Sequence, residues 1–168
     1  MFKKIAVAAT IAILSSTAFA NDAPGVYAGA DFGTTKLDDK SGRENSFGAF
    51  VGYRITPAIA IEAGYRRLAD FDYTVDRVTA DVQLDQVALS AIGTLPLSGG
   101  FSLFGRLGYN NIKAKASAGA GSFSDSDSGV LYGIGASYAF SPTVAGRIEV
   151  QKPSSDSTNV SAGVVFNF

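Results

Sequence analysis

Glu62, Arg106, Arg147 and Glu149 are charged residues set inside stretches of alternating small and apolar residues. Carboxylates facing guanidinium groups lock one another in place through charge-assisted hydrogen bonds. If they exchange partners, they open and close a narrow polar path. A carboxylate pair also runs acid–base chemistry in glycosidases, but that reaction needs a sugar-sized cleft. The chain has no His and no Cys. It therefore lacks the usual base for a serine nucleophile and the best ligands for a transition metal. Asp125 and Asp127 have a faintly calcium-loop-like spacing, without the Gly and terminal Glu such a loop requires. These residues predict no enzyme, no catalytic residue, no cofactor and no metal site.

The elements that would hold the four charges are strands. From Val26 onward the dominant pattern has period two, broken by turn residues, with no persuasive helical stretch. Eight segments emerge. Apolar faces include Val26, Ala28, Ala30 and Phe32 in the first and Phe47, Ala49, Val51 and Tyr53 in the second. Ile59, Ile61, Ala63 and Tyr65 follow in the third, and Val87, Leu89, Ala91 and Leu95 in the fourth. The fifth has Phe101, Leu103, Leu107 and Tyr109; the sixth has Val130, Tyr132, Ile134, Ala136, Tyr138 and Phe140. The last two offer Val144, Ile148 and Val150, then Val160, Ala162, Val164, Phe166 and Phe168. The opposite faces are rich in Gly, Ala and Ser and carry Asp31, Glu62, Arg106, Arg147 and Glu149.

A soluble barrel would turn the apolar face inward and cover its surface with Lys, Glu and Thr. Here the polar face suits a crowded lumen, with small residues making room for a few long charged ones. Aromatics decide the direction. With the N-terminus in the periplasm, Tyr53, Phe101, Tyr138, Phe140, Phe166 and Phe168 fall at the lower rim. Phe32, Phe47, Tyr65, Tyr109 and Tyr132 fall at the upper rim. Two aromatic girdles around an apolar band are what a transmembrane barrel requires. The predicted fold is all-β, an eight-stranded antiparallel up-and-down transmembrane β-barrel, monomeric, in the outer membrane of a Gram-negative bacterium.

Connections follow the same asymmetry. Short links with Pro57, Pro96 and Pro142 lie on one side. On the other, the sequence reads as long polar loops over 35–45, 67–83, 111–129 and 152–158. The second contains an acidic–aromatic run, Asp70-Phe71-Asp72-Tyr73, able to contact an extracellular ligand. The third, Ser117 to Ser128, reads as a flexible solvated loop.

Residues 1–20 are set apart. Lys3 and Lys4 precede an apolar run, Ile5 to Leu14, and Ala18-Phe19-Ala20 has the small-x-small pattern of a cleavage site. The expected organisation is a cleaved signal peptide, 1–20, with cleavage marked by Ala18 and Ala20, and one barrel domain, 21–168. Removing Lys3 and Lys4 would take the formal charge from −1 to −3. Nothing forms a basic face for nucleic acid.

The stretches FGAFVGYRITPAIAIEAGYRRL (47–68), FGRLGY (104–109), YAFSPTVAGRIEV (138–150) and the closing VSAGVVFNF resemble the transmembrane domain of the outer membrane protein A family. Proteins of that family often carry a periplasmic peptidoglycan-binding domain after the barrel; this sequence offers no stretch to which that role is carried over. Glu62, Arg147 and Glu149 sit in the matching stretches, so the resemblance implies a candidate gate passing small ions. Ser161, Gly163, Phe166 and Phe168 look like a barrel-assembly recognition sequence. The implied partners are outer-membrane lipid and lipopolysaccharide, with the barrel-assembly machinery and periplasmic chaperones during biogenesis. The leading functional expectation is a surface protein whose barrel anchors four extracellular loops for adhesion or ligand contact. The alternative is a small gated ion-conducting pore through the charge-lined lumen.

Overall fold

The computed structural model describes residues 24–37, 42–75, 78–118 and 121–168. The signal-peptide reading, with Ala18 and Ala20, lies outside them. The described chain forms eight strands: β1 (Gly25–Leu37), β2 (Glu44–Thr56), β3 (Ile59–Val75), β4 (Val78–Pro96), β5 (Phe101–Ala118), β6 (Gly121–Ala139), β7 (Val144–Ser154) and β8 (Ser157–Asn167). Each pairs antiparallel with its neighbour, and β1 pairs with β8 to close the barrel. Closure satisfies the backbone of every strand inside the structure, the condition for crossing lipid.

Alternation fixes which face is which. Phe32, Phe47, Val51, Leu89, Leu107, Tyr109, Tyr132, Ile134 and Ile148 are all exposed on the outer wall. Their strand neighbours Ser46, Phe50, Ser90, Arg106, Leu131 and Glu149 are buried in the lumen. At the short-turn rim, Phe101 stacks tilted on Tyr138 with centroids 4.6 Å apart. Tyr138 in turn meets Phe140 edge-on at 5.2 Å. These rings pack along the wall as an interfacial girdle does.

The long loops predicted over 67–83 and 111–129 are corrected by the structure. β3 and β4 stay paired from Ala69↔Leu84 to Val75↔Val78, after a register shift between Arg67 and Ala69. β5 and β6 stay paired from Asn111↔Ser128 to Ala118↔Gly121. The acidic–aromatic run at 70–73 therefore belongs to strand β3. The Gly-, Ser- and Asp-rich stretch 121–128, read as a loop, belongs to β6. Likewise β7 and β8 approach to Ser154↔Ser157, leaving a tight turn where a loop over 152–158 was expected. The first predicted loop is shortened too, since β1 runs to Leu37 and β2 starts at Glu44. Loop-like composition misled because an antiparallel ladder needs backbone partners, not β-favouring side chains, once its register is set. Asp125 and Asp127 each accept a hydrogen bond from the next residue's N–H, both at 2.9 Å.

Two glycines let large inward rings lie against the wall. A Cβ at Gly52 would sit 2.2 Å from the Tyr27 ring, and one at Gly135 would sit 2.3 Å from the Phe104 ring. Both rings join Phe50, Ala60, Ile92, Ala145 and Val165 in the apolar cluster of the lower lumen.

A charge network across the lumen as the candidate functional site

Three strands deliver the charges. Glu62 comes from β3, Arg106 from β5, and Arg147 and Glu149 from β7, two residues apart and so on one face. Small neighbours make room for them. Glu62 lies across from Gly52 and Ser90, Arg147 from Ser137 and Gly163, and Glu149 from Gly135 and Ser161.

The four side chains converge. Arg106 Nε donates to Glu149 Oε1 at 2.5 Å, and its Nη2 donates to Glu149 Oε2 at 3.2 Å and also to Glu62 Oε1. Arg147 Nη1 donates to Glu62 Oε2 at 2.8 Å. Its Nη2 reaches Glu62 Oε1 at 3.2 Å and Glu149 Oε2 at 2.7 Å. Each carboxylate thus faces both guanidinium groups, and the quartet has no net charge. Glu62 is only 1% exposed. Buried ions of this kind are tolerated when they are paired and their remaining hydrogen-bonding capacity is filled. Arg147 also lies 4.2 Å over the Phe50 ring and 5.0 Å over that of Phe104, where aromatic faces add cation–π attraction.

Sequence reasoning missed several participants. Tyr27, inward on β1, donates its hydroxyl to Glu62 Oε2 at 3.1 Å. A second polar layer lies further from the short turns. There Arg66 Nη2 donates to Asp31 Oδ2 at 2.8 Å, and Arg66 Nη1 donates to Asn159 Oδ1. With the Gln151 amide turned so that its oxygen faces Arg66, it accepts from Nε at 3.2 Å and Nη1 at 3.1 Å. Asn159 Nδ2 in turn donates to Thr35 Oγ1 at 2.9 Å and Ser46 Oγ at 2.7 Å. Alternation places Asp31 on an inward face, and Arg66 shares the parity of Glu62 on β3; their pairing needed the register.

A void of about 20 Å³ separates the two layers, lined by Asp31, Glu62, Arg66, Gln86 and Arg106 among others. Asp31 Oδ1 and Gln86 Nε2, an acceptor and a donor without protein partners, border it. Its size and polarity suit about one water molecule. On the short-turn side of the quartet, a larger cavity of about 140 Å³ opens.

The residues of the supposed assembly signal lie along β8, with Phe168 just after it. Ser161 is buried in the lumen, and Phe166 and Phe168 are exposed on the outer wall. Gly163 faces Asp31, whose Cβ lies 2.6 Å from where a Cβ at 163 would sit. No group of three His, Cys, Asp or Glu side chains able to hold a metal occurs among the described residues.

Residues 6–168 match the family model of the outer membrane protein beta-barrel domain. The chain belongs to this family. It is 31% identical over 166 residues to outer membrane protein A of Shigella flexneri, covering 89% of this chain and 48% of that protein. It thus spans about half the length of the curated relatives it matches. Solved structures share the fold. Neisserial surface protein A aligns with a TM-score of 0.66 at 20% identity, over 86% of this chain and 97% of that one. The attachment invasion locus protein Ail of Yersinia pestis aligns with a TM-score of 0.61 at 17% identity, over the same shares. This chain is a Gram-negative outer-membrane β-barrel protein, embedded in outer-membrane lipid. The short turns then face the periplasm and the long hairpins the outside.

Proposed function

We propose that the protein has a structural role in the outer membrane, with a plugged barrel that anchors four hairpins at the cell surface for adhesion or ligand contact. The observation that carries this reading is the complete pairing of Glu62, Arg106, Arg147 and Glu149. Every carboxylate oxygen in the quartet accepts at least one charged hydrogen bond. An eight-stranded barrel is just wide enough for side chains to fill, and here the quartet fills its middle. A chain without His or Cys is assigned no catalysis. During biogenesis the partners are the barrel-assembly machinery and periplasmic chaperones. In the membrane they are lipopolysaccharide and other lipid around a monomer.

One feature favours the gated pore as a second reading. Arg147 already bridges both carboxylates, so a small rotation exchanges partners without leaving any charge alone. Single-channel recording of the refolded protein beside Glu62→Ala separates the two. Silence in both, with folding shown by heat-modifiable gel mobility, upholds the structural role. Discrete openings whose frequency changes in Glu62→Ala replace it with the pore.

A further inference from the structure

The periplasmic cavity of about 140 Å³ differs in chemistry from the rest of the lumen. Ile92, Phe104 and Val165 give it an apolar floor, Ser102 and Ser137 place hydroxyls on one wall, and Arg54 stands among its lining residues. Among the described residues, no carboxylate lines it. The other arginine that reaches it, Arg147, is held by Glu62 and Glu149. Arg54 is in a different state. Its Nη2 donates to the neutral Asn167 Oδ1 at 3.0 Å, and its guanidinium lies 5.5 Å from the Tyr27 ring centroid. It makes no ion pair with a carboxylate among the described residues. Register explains its position: Arg54 pairs with Gly25, and Tyr27 pairs with Asn167, so all three inward side chains meet at the mouth.

A half-buried guanidinium held by one amide and one ring keeps donors to spare, and a carboxylate is the partner its planar fork fits best. The floor asks for something apolar. An engineered cavity of about 150 Å³ lined by apolar side chains takes up benzene, which sets the size of the guest. We propose that this vestibule binds a small organic monoanion, a carboxylate carried on a ring or short branched chain. Its charge sits at Arg54 and its apolar body lies against Ile92, Phe104 and Val165. An inorganic anion would leave that floor uncovered, and a neutral guest would leave Arg54 unpaired. The site lies below the quartet and does not depend on whether the quartet ever opens.

Benzoate is the probe. The full chain, refolded in nanodiscs of zwitterionic lipid, is titrated by calorimetry, with benzyl alcohol as the neutral counterpart. The expected result is saturable binding of benzoate with one site, and weaker binding of benzyl alcohol. Arg54→Gln should weaken benzoate by about tenfold or more, the loss of one charged hydrogen-bonded contact. Ser137→Leu, which fills the cavity from β6, should abolish it. Lys113→Gln, on the exposed outer side of β5, should leave it unchanged. Folding of each variant is read from heat-modifiable mobility, and if Arg54→Gln does not fold, Ser137→Leu decides. Non-saturable uptake, equal binding of the alcohol, or benzoate affinity untouched by the variants overturns the proposal.

Discussion

At the scale of single residues, Glu62 offers the sharpest probe of what the lumen network contributes. Glu62→Gln keeps the shape and removes the charge, so Arg106 and Arg147 are left sharing Glu149 alone. Removing one partner from a buried ion pair costs about 3–5 kcal/mol, because the remaining charge stays desolvated. Urea unfolding of the variant in lipid bilayers should show a loss of that order. A change below about 1 kcal/mol, the range of solvent-exposed pairs, would mean that water screens the network and the lumen is open. The four charges were legible in the sequence because period-two alternation places Glu62, Arg106, Arg147 and Glu149 on inward faces. Tyr27 obeys the same parity, yet its bond to Glu62 was not legible. Alternation gives the face of a residue but not its height, and in a tilted, staggered barrel height depends on register. The Arg66–Asp31–Asn159 layer stayed hidden for the same reason, since its members come from β3, β1 and β8, far apart in sequence.

The strands themselves were largely readable, and the exceptions have a common cause. Alternating apolar residues marked all eight where they cross the membrane, because lipid on one side and a packed lumen on the other enforce the pattern. Beyond the upper girdle both faces of a hairpin meet water, and the pattern lapses. Ser122, Ser124 and Asp125 in β6 look like loop residues, yet they pair with Ser117, Lys115 and Ala114 in β5. Continued backbone pairing, invisible to side-chain pattern, extends these hairpins. A substitution on the wall tests the orientation of the strands directly. Leu107 lies on the outer face of β5, 63% exposed, between Ala91 and Tyr132 on the neighbouring strands. Leu107→Arg there should lower the folding free energy in bilayers by about 2–4 kcal/mol, the cost of a cation near mid-membrane. In a detergent micelle thinned around the guanidinium the loss should shrink. A negligible effect in bilayers would turn β5 inside out and send Arg106 into lipid.

For the whole molecule, the decisive event is closure, which joins β1 to β8 over the run Tyr27↔Asn167 to Leu37↔Ser157. Until that seam forms, both edge strands carry unpaired backbone groups that lipid cannot satisfy. We propose that the closing strand is recognised before closure, through the rings of Phe166 and Phe168, which stay exposed on the outer wall. The Phe168 amide donates to Val26 O at 3.0 Å, so the backbone seals the seam whatever the side chain is. The ring itself is half-exposed on the outer wall, touching neither quartet nor lumen. Phe168→Ser should thus leave the barrel able to refold into lipid vesicles with yield close to that of the parent protein. In cells the same substitution should lower the amount of heat-modifiable barrel in the outer membrane several-fold, because the ring acts before the seam exists. Equal losses in vesicles and in cells would reduce Phe168 to a girdle residue. Unchanged yield in both would remove it from the assembly signal and leave Phe166, which pairs with Ala28 across the seam, to carry that role.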